Sequence, residues 1–134
     1  MGNQSTKKQR PSETDKQKMT KSPNTVIEIL ILDLKPGTRD TFHQLYITES
    51  LPLLKKWEIE VVAHGPSQHD ENSYYVIRSF KSLEDRQKDE DAFYSSDDWQ
   101  QGPRTAILAL IENMATIVIP TEIFKDWSDI ISKH

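Results

Sequence analysis

Arg86 and Glu90 stand four residues apart inside SLEDRQKDEDAFYSSDDW, a stretch from Ser82 to Trp99 that holds seven acids together with Phe93, Tyr94 and Trp99. On a helical wheel with Leu83 as origin, Arg86 falls at about 300°, Glu90 at about 340° and Gln87 at about 40°, the stripe that also carries Phe93. Glu84, Asp85, Lys88, Asp89 and Asp91 point sideways or outward, which is the ordinary solvated face of a helix. The preceding helix shows the same anomaly, because Glu49 lies at about 340° from Phe42, within the apolar face. A charge aimed at a core must pair, reach water or line a cavity. Arg86 and Glu90 can pair along one helix turn, with Glu49 approaching Arg86 or Arg78 from across the sheet.

Two readings of this constellation compete. In one, the charges form a partly buried network that braces the helices against the sheet. In the other, Glu49, Arg78, Arg86 and Glu90 form the polar end of a ligand pocket whose apolar wall is Tyr46, Trp57, Phe93 and Trp99. An arginine there suits a carboxylate or enolate oxygen, and Glu49 is the candidate general acid or base.

Other chemistries lack their residues. With no cysteine, disulfides, thiolate catalysis and Cys-ligated metals are excluded. His43 falls on the flank of its helix, His64 at a strand end and His69 in a polar loop, without a metal-ligand spacing, so no metal and no cofactor are expected. There is no Gly-x-Gly-x-x-Gly, no phosphate-binding Gly-Lys-Ser/Thr and no Gly-x-Ser-x-Gly.

The elements that must position these side chains follow from periodicity. VIEILILDL, from Val26, reads as a strand ended by Pro36-Gly37, and both of its alternating sets are apolar, so both sheet faces need cover. Thr38 is placed to cap a helix running to about Lys56, kinked at Pro52. Glu58–His64 and Ser73–Phe80 read as an antiparallel hairpin around the polar loop 65–72. Ser82 with Asp85 opens the acidic helix, whose helical region continues through Trp99, Pro103, Ala106, Ile107, Leu110 and Met114 to about Asn113. Ala115–Pro120 is the fourth strand. The order β-α-β-β-α-β predicts a ferredoxin-like α+β fold with an antiparallel sheet, its helices on one face. The second apolar face predicts a homodimer with the two sheets packed together.

Charge divides the chain. Residues 1–24 hold six basic residues against Glu13 and Asp15, a tail of about +4 beside a body near about −8. The tail has almost no apolar side chains and reads as disordered; the domain spans 25–120, and 121–134 reads as an amphipathic C-terminal extension with Ile123, Phe124, Trp127, Ile130 and Ile131. An acidic body repels phosphate backbones, so no nucleic acid partner is expected. With no signal peptide or apolar span, a soluble cytoplasmic protein is expected, although Gly2 fits the loose N-myristoylation pattern.

Through VIEILILDLKPG, YYVIRSFKSLEDR and DAFYSSDDW, residues 26–119 resemble the NIPSNAP-type proteins of the dimeric α+β barrel superfamily. The resemblance implies a ferredoxin-like monomer and a barrel-forming homodimer, with relatives that include cofactor-free monooxygenases, haem-degrading enzymes and small-ligand binders. The expected function is binding of a small organic ligand in the cleft between helices and sheet. The alternatives are a cofactor-independent monooxygenase or isomerase on an aromatic or enolisable substrate, and a non-enzymatic protein-interaction module.

Overall fold

The computed structural model describes residues 25–124. Strand β1 (Val26–Leu34) alternates as its sequence predicts: Glu28, Leu30, Leu32 and Leu34 are buried beneath helices, while Ile31 and Asp33 face away and are exposed. The chain reverses at Pro36-Gly37, where Gly37 takes a φ of 78° that a Cβ would strain. Thr38 precedes the first helix without capping it; its hydroxyl donates back to the Lys35 carbonyl at 2.7 Å and closes the turn instead.

The helix that follows is not uniform. Helix α1 (Arg39–Leu45) runs into a five-residue π turn, Tyr46–Ser50, and then into α2 (Leu51–Lys56). The wider turn lies just before Pro52, whose ring offers no N–H and crowds the carbonyl of Thr48. Helix α2 closes with paired bonds, Ile59 N–H to Leu54 O at 2.9 Å and Glu58 N–H to Lys55 O at 3.0 Å. Leu54 and Ile59 are both buried beside this closure. Glu58 therefore occupies the left-handed position, φ 60°, that usually belongs to glycine. That moves the second strand: β2 spans Glu60–Pro66, not Glu58–His64, and Gly65 and Pro66 belong to it rather than to the loop.

Strand β3 (Ser73–Phe80) lies where the alternation places it. Ser82 accepts from the Asp85 N–H at 3.0 Å and starts α3 (Leu83–Tyr94). Two short helices follow, α4 (Asp97–Gln100), capped by Ser96, and α5 (Arg104–Leu108). The expected helical run to Asn113 ends early, because β4 begins at Ile111 and pairs with β1 through Asn113↔Asp33 and Met114↔Leu32. Partner strand geometry here overrides a helical spacing.

The sheet order is β2-β3-β1-β4, antiparallel throughout, with the helices on one face: a ferredoxin-like α+β fold. The core between the layers is built on Leu34, Phe42, Tyr74, Val76 and Phe93, each 1% exposed. On the other face Ile31, Tyr75 and Ile117 are exposed by 49%, 37% and 55%. No helix among the described residues is long and apolar enough to cross a membrane. The N-terminal tail and Trp127, Ile130 and Ile131 lie outside the described residues, whereas Ile123 and Phe124 are exposed.

Candidate functional site

Strand alternation and helix periodicity meet at one point beneath α3. Glu28 on β1 and Arg78 on β3 are direct cross-strand partners, both on the helix-facing side. Helix α3 sends down Arg86, Glu90 and Tyr94, spaced by single turns. Arg78 donates from Nε to Glu28 Oε1 at 2.6 Å, from Nη1 to Tyr94 Oη at 2.8 Å and from Nη2 to Glu90 Oε2 at 2.9 Å. Arg86 donates from Nε to Glu28 Oε2 at 2.6 Å, and its Nη2 lies 3.4 Å from Glu90 Oε1. Two guanidiniums thus share two carboxylates, and Glu28 is wholly buried.

The two acids are not equivalent. Burial pushes the Glu28 carboxyl up, but the hydrogen bond from Glu90 and the two guanidiniums outweigh it, holding Glu28 below the usual carboxylate range. Burial, followed by the hydrogen bond to Glu28, pushes Glu90 up to about 8 despite both arginines. Of the two coupled carboxyls, Glu90 is therefore the one whose environment favours the protonated form and Glu28 the one whose environment favours the charged form.

This cluster forms one end of a cavity of about 340 Å³ between helices and sheet. Aromatic rings line it: Phe93 packs against Trp99 at 5.6 Å and against Tyr94 at 4.9 Å between centroids, with Phe42 stacked on Tyr46 at 5.9 Å. The rim includes Leu108, Met114 and Thr116, all exposed, so the cavity opens along β4.

Of the residues singled out from sequence, Tyr46, Arg78, Arg86, Glu90, Phe93 and Trp99 border this cavity. Glu49 does not: it is exposed, and the inward position of its turn is taken by Ser50, 3% exposed. The π turn is the reason, since it advances about 80° per residue instead of 100° and rotates Glu49 off the apolar face. The carboxylate expected from Glu49 comes from Glu28. Trp57 stands behind the wall, edge-on to Phe93 at 6.3 Å, with its indole N–H donated to Asp98 at 3.0 Å. Gln87 and Leu83 are exposed, so the inward stripe of α3 is centred on Arg86, Glu90 and Phe93. Glu28, Ser50 and Tyr94 escaped the sequence reading. Glu28 had left a signal, an acid within the strand set Val26, Leu30, Leu32 and Leu34 that faces the helices.

A second polar cluster lies at the opposite end of β3. The buried Tyr74 hydroxyl meets His43 Nδ1 at 2.7 Å and His64 Nδ1 at 3.0 Å. A phenol has one proton, so one imidazole accepts it while the other donates. Burial pushes Tyr74 up to about 12, and burial followed by the neighbouring His43 holds His64 below its usual value. Among the described residues no group of three His, Cys, Asp or Glu side chains could hold a metal ion.

Residues 27–125 match the NIPSNAP family model. Similar solved structures include an uncharacterized NIPSNAP-like domain protein from Burkholderia xenovorans, 19% identical, covering 73% of this chain and 85% of that one with a TM-score of 0.68. A NIPSNAP family protein of unknown function from Agrobacterium tumefaciens is 22% identical over 73% of this chain and 88% of its own, with a TM-score of 0.67. A protein from Nitrosomonas europaea assigned to antibiotic biosynthesis monooxygenase shares the fold at 12% identity, 74% and 91% coverage and a TM-score of 0.57. No curated protein matches the sequence.

Proposed function

Since the chain belongs to the NIPSNAP family, we propose that it acts as a homodimer whose helix–sheet clefts each bind a small organic ligand. The observation that carries the binding reading is the cavity of about 340 Å³, apolar along its walls and closed at one end by the Glu28, Arg78, Arg86 and Glu90 cluster. Its volume falls within the roughly 300–1,000 Å³ common for small-molecule sites. The dimer reading rests on the exposed apolar sheet face around Ile31, Tyr75 and Ile117, a continuous patch that a second copy would cover. Thr116→Trp at the exposed rim should block ligand entry while leaving the circular dichroism of the fold unchanged. Unaltered binding in that variant would show that the ligand sits elsewhere. For the dimer, Ile117→Lys should shift the light-scattering mass from twice the chain mass to the chain mass; a wild-type protein already monomeric at micromolar concentration would refute it.

A second reading, a cofactor-independent monooxygenase or isomerase, is favoured by Glu90 on the cavity wall, whose carboxyl burial pushes up to about 8, a range suited to a general base. In an isomerase, Glu90 after deprotonation would take a proton from an activated C–H and return it to a neighbouring carbon. Loss of solvent deuterium incorporation into an enolisable ketone in Glu90→Gln, with binding retained, is the expected result; equal incorporation in wild type and variant would exclude Glu90 from that role.

A further inference from the structure

The π turn begins and ends on a buried hydroxyl that no group among the described residues satisfies. Tyr46 is 6% exposed and Ser50 3%, both border the cavity, and neither Tyr46 Oη nor Ser50 Oγ has a hydrogen-bond partner among the described residues. A buried hydroxyl without a partner destabilises a fold, and phenylalanine or alanine would serve the packing as well. A π turn is likewise a departure from the more favourable α geometry, and such turns concentrate at functional sites. Three departures from the most stable arrangement therefore coincide on one wall of one cavity. The charged groups that line the cavity are already engaged with each other: Arg78 commits Nε, Nη1 and Nη2 to Glu28, Tyr94 and Glu90. The same cavity is lined by apolar side chains such as Leu30, Leu32, Leu54 and Ile107.

We infer that Tyr46 and Ser50 are the contact for a hydroxyl or carbonyl oxygen carried by an otherwise apolar, ring-sized ligand, a specificity that rests on the reading of the cleft as a ligand site. Burial pushes the Tyr46 phenol above its usual value, so it remains a proton donor. Ser50 either donates or accepts. A carbonyl oxygen accepts from either hydroxyl, whereas a ligand hydroxyl accepts from Tyr46 or exchanges a hydrogen bond with Ser50. A bare hydrocarbon leaves both groups unsatisfied and binds more weakly.

Indane, 2-indanol and 2-indanone share one carbon skeleton and separate the terms. Equilibrium dialysis against the full chain should show both oxygenated probes binding about three- to tenfold tighter than indane, the worth of one net hydrogen bond. In Tyr46→Phe and in Ser50→Ala that preference should shrink, and in the double variant fall to about twofold or less, with indane affinity equal to or above that of wild type. Both single variants should unfold at a urea midpoint equal to or above that of wild type. Preference surviving in the double variant would place the oxygen contact elsewhere, overturning this inference while leaving the cleft as a ligand site. Variants that lose stability would show that the hydroxyls serve the fold, which also overturns it. If none of the three probes binds, the ligand-site reading itself fails, and this inference with it.

Discussion

Replacing Glu28 and Glu90 separately by glutamine should give unequal losses, because two guanidiniums hold Glu28 below the carboxylate range while burial pushes Glu90 up to about 8. Glu28 is 0% exposed and receives a guanidinium N–H at 2.6 Å on each oxygen. Removing one partner of a buried ion pair costs about 3–5 kcal/mol. The lower end is expected for Glu28→Gln, since Glu90 can then ionise and take over part of the pairing. Glu90, with its carboxyl pushed up to about 8 by burial and by the hydrogen bond to Glu28, already resembles an amide at neutral pH. Glu90→Gln should therefore cost about 1 kcal/mol or less there. The pH dependence provides the sharper check. A carboxyl whose folded value lies above its ordinary 4.5 retains a proton in the native state across about pH 4.5–8, so its contribution to stability is full at the acid end and lost as pH rises through the folded value. His64, held low, works in the opposite sense, adding stability as pH rises through the neutral histidine range. The difference between wild type and Glu90→Gln isolates the Glu90 part: relative to wild type, the variant should gain stability from pH 5 to pH 8.5. Urea unfolding followed by circular dichroism across that range measures it. Equal losses at the two positions at pH 6.5, or a difference between wild type and Glu90→Gln that does not move with pH, would refute the assignment of the proton.

Ser82→Ala removes the side-chain cap of α3 and should cost about 1 kcal/mol in urea unfolding. Gly102→Ala would place a Cβ 2.3 Å from the Asp98 carbonyl oxygen, a backbone clash that should lower the unfolding free energy by about 1–3 kcal/mol. Glu49→Gln, at an exposed position, should leave stability within about 0.5 kcal/mol and probe binding unchanged.

Where local rules act alone, the sequence was legible. The bounds of β1 and β3 follow from alternation, the start of α3 from Ser82, and the inward aim of Arg86 and Glu90 from a regular α-helical period. Glu49 was misplaced because its helix does not keep that period; a single wider turn before Pro52 exchanges the roles of Glu49 and Ser50. The start of β4 was missed because Ile111 to Met114 owe their strand conformation to pairing with β1, a contact some eighty residues away in the chain that no local window reports. Glu28 was overlooked for a different reason. Its strand is so apolar that one acid looked incidental, and only the cross-strand position of Arg78 reveals why it is tolerated. The polar end of the cleft was thus half visible: its helix half could be read from one segment, whereas its sheet half required knowing which strands are neighbours.

Glu28 also bears on how the chain finds its register. β1 inserts between β3 and β4, and its contacts with Arg78 and Arg86 span 50 and 58 residues, so they form only after distant parts of the chain have met. A slip of one residue would turn the apolar set of β1 outward and is rejected by the hydrophobic pattern. A slip of two keeps every apolar side chain on its proper face and would pass that test. It would, however, set Arg78 opposite Val26 or Leu30 and strand Glu28 without its guanidiniums in a dry interior. The buried charge therefore supplies the discrimination that alternation lacks, admitting the central strand in one alignment out of several that oil and water alone would accept.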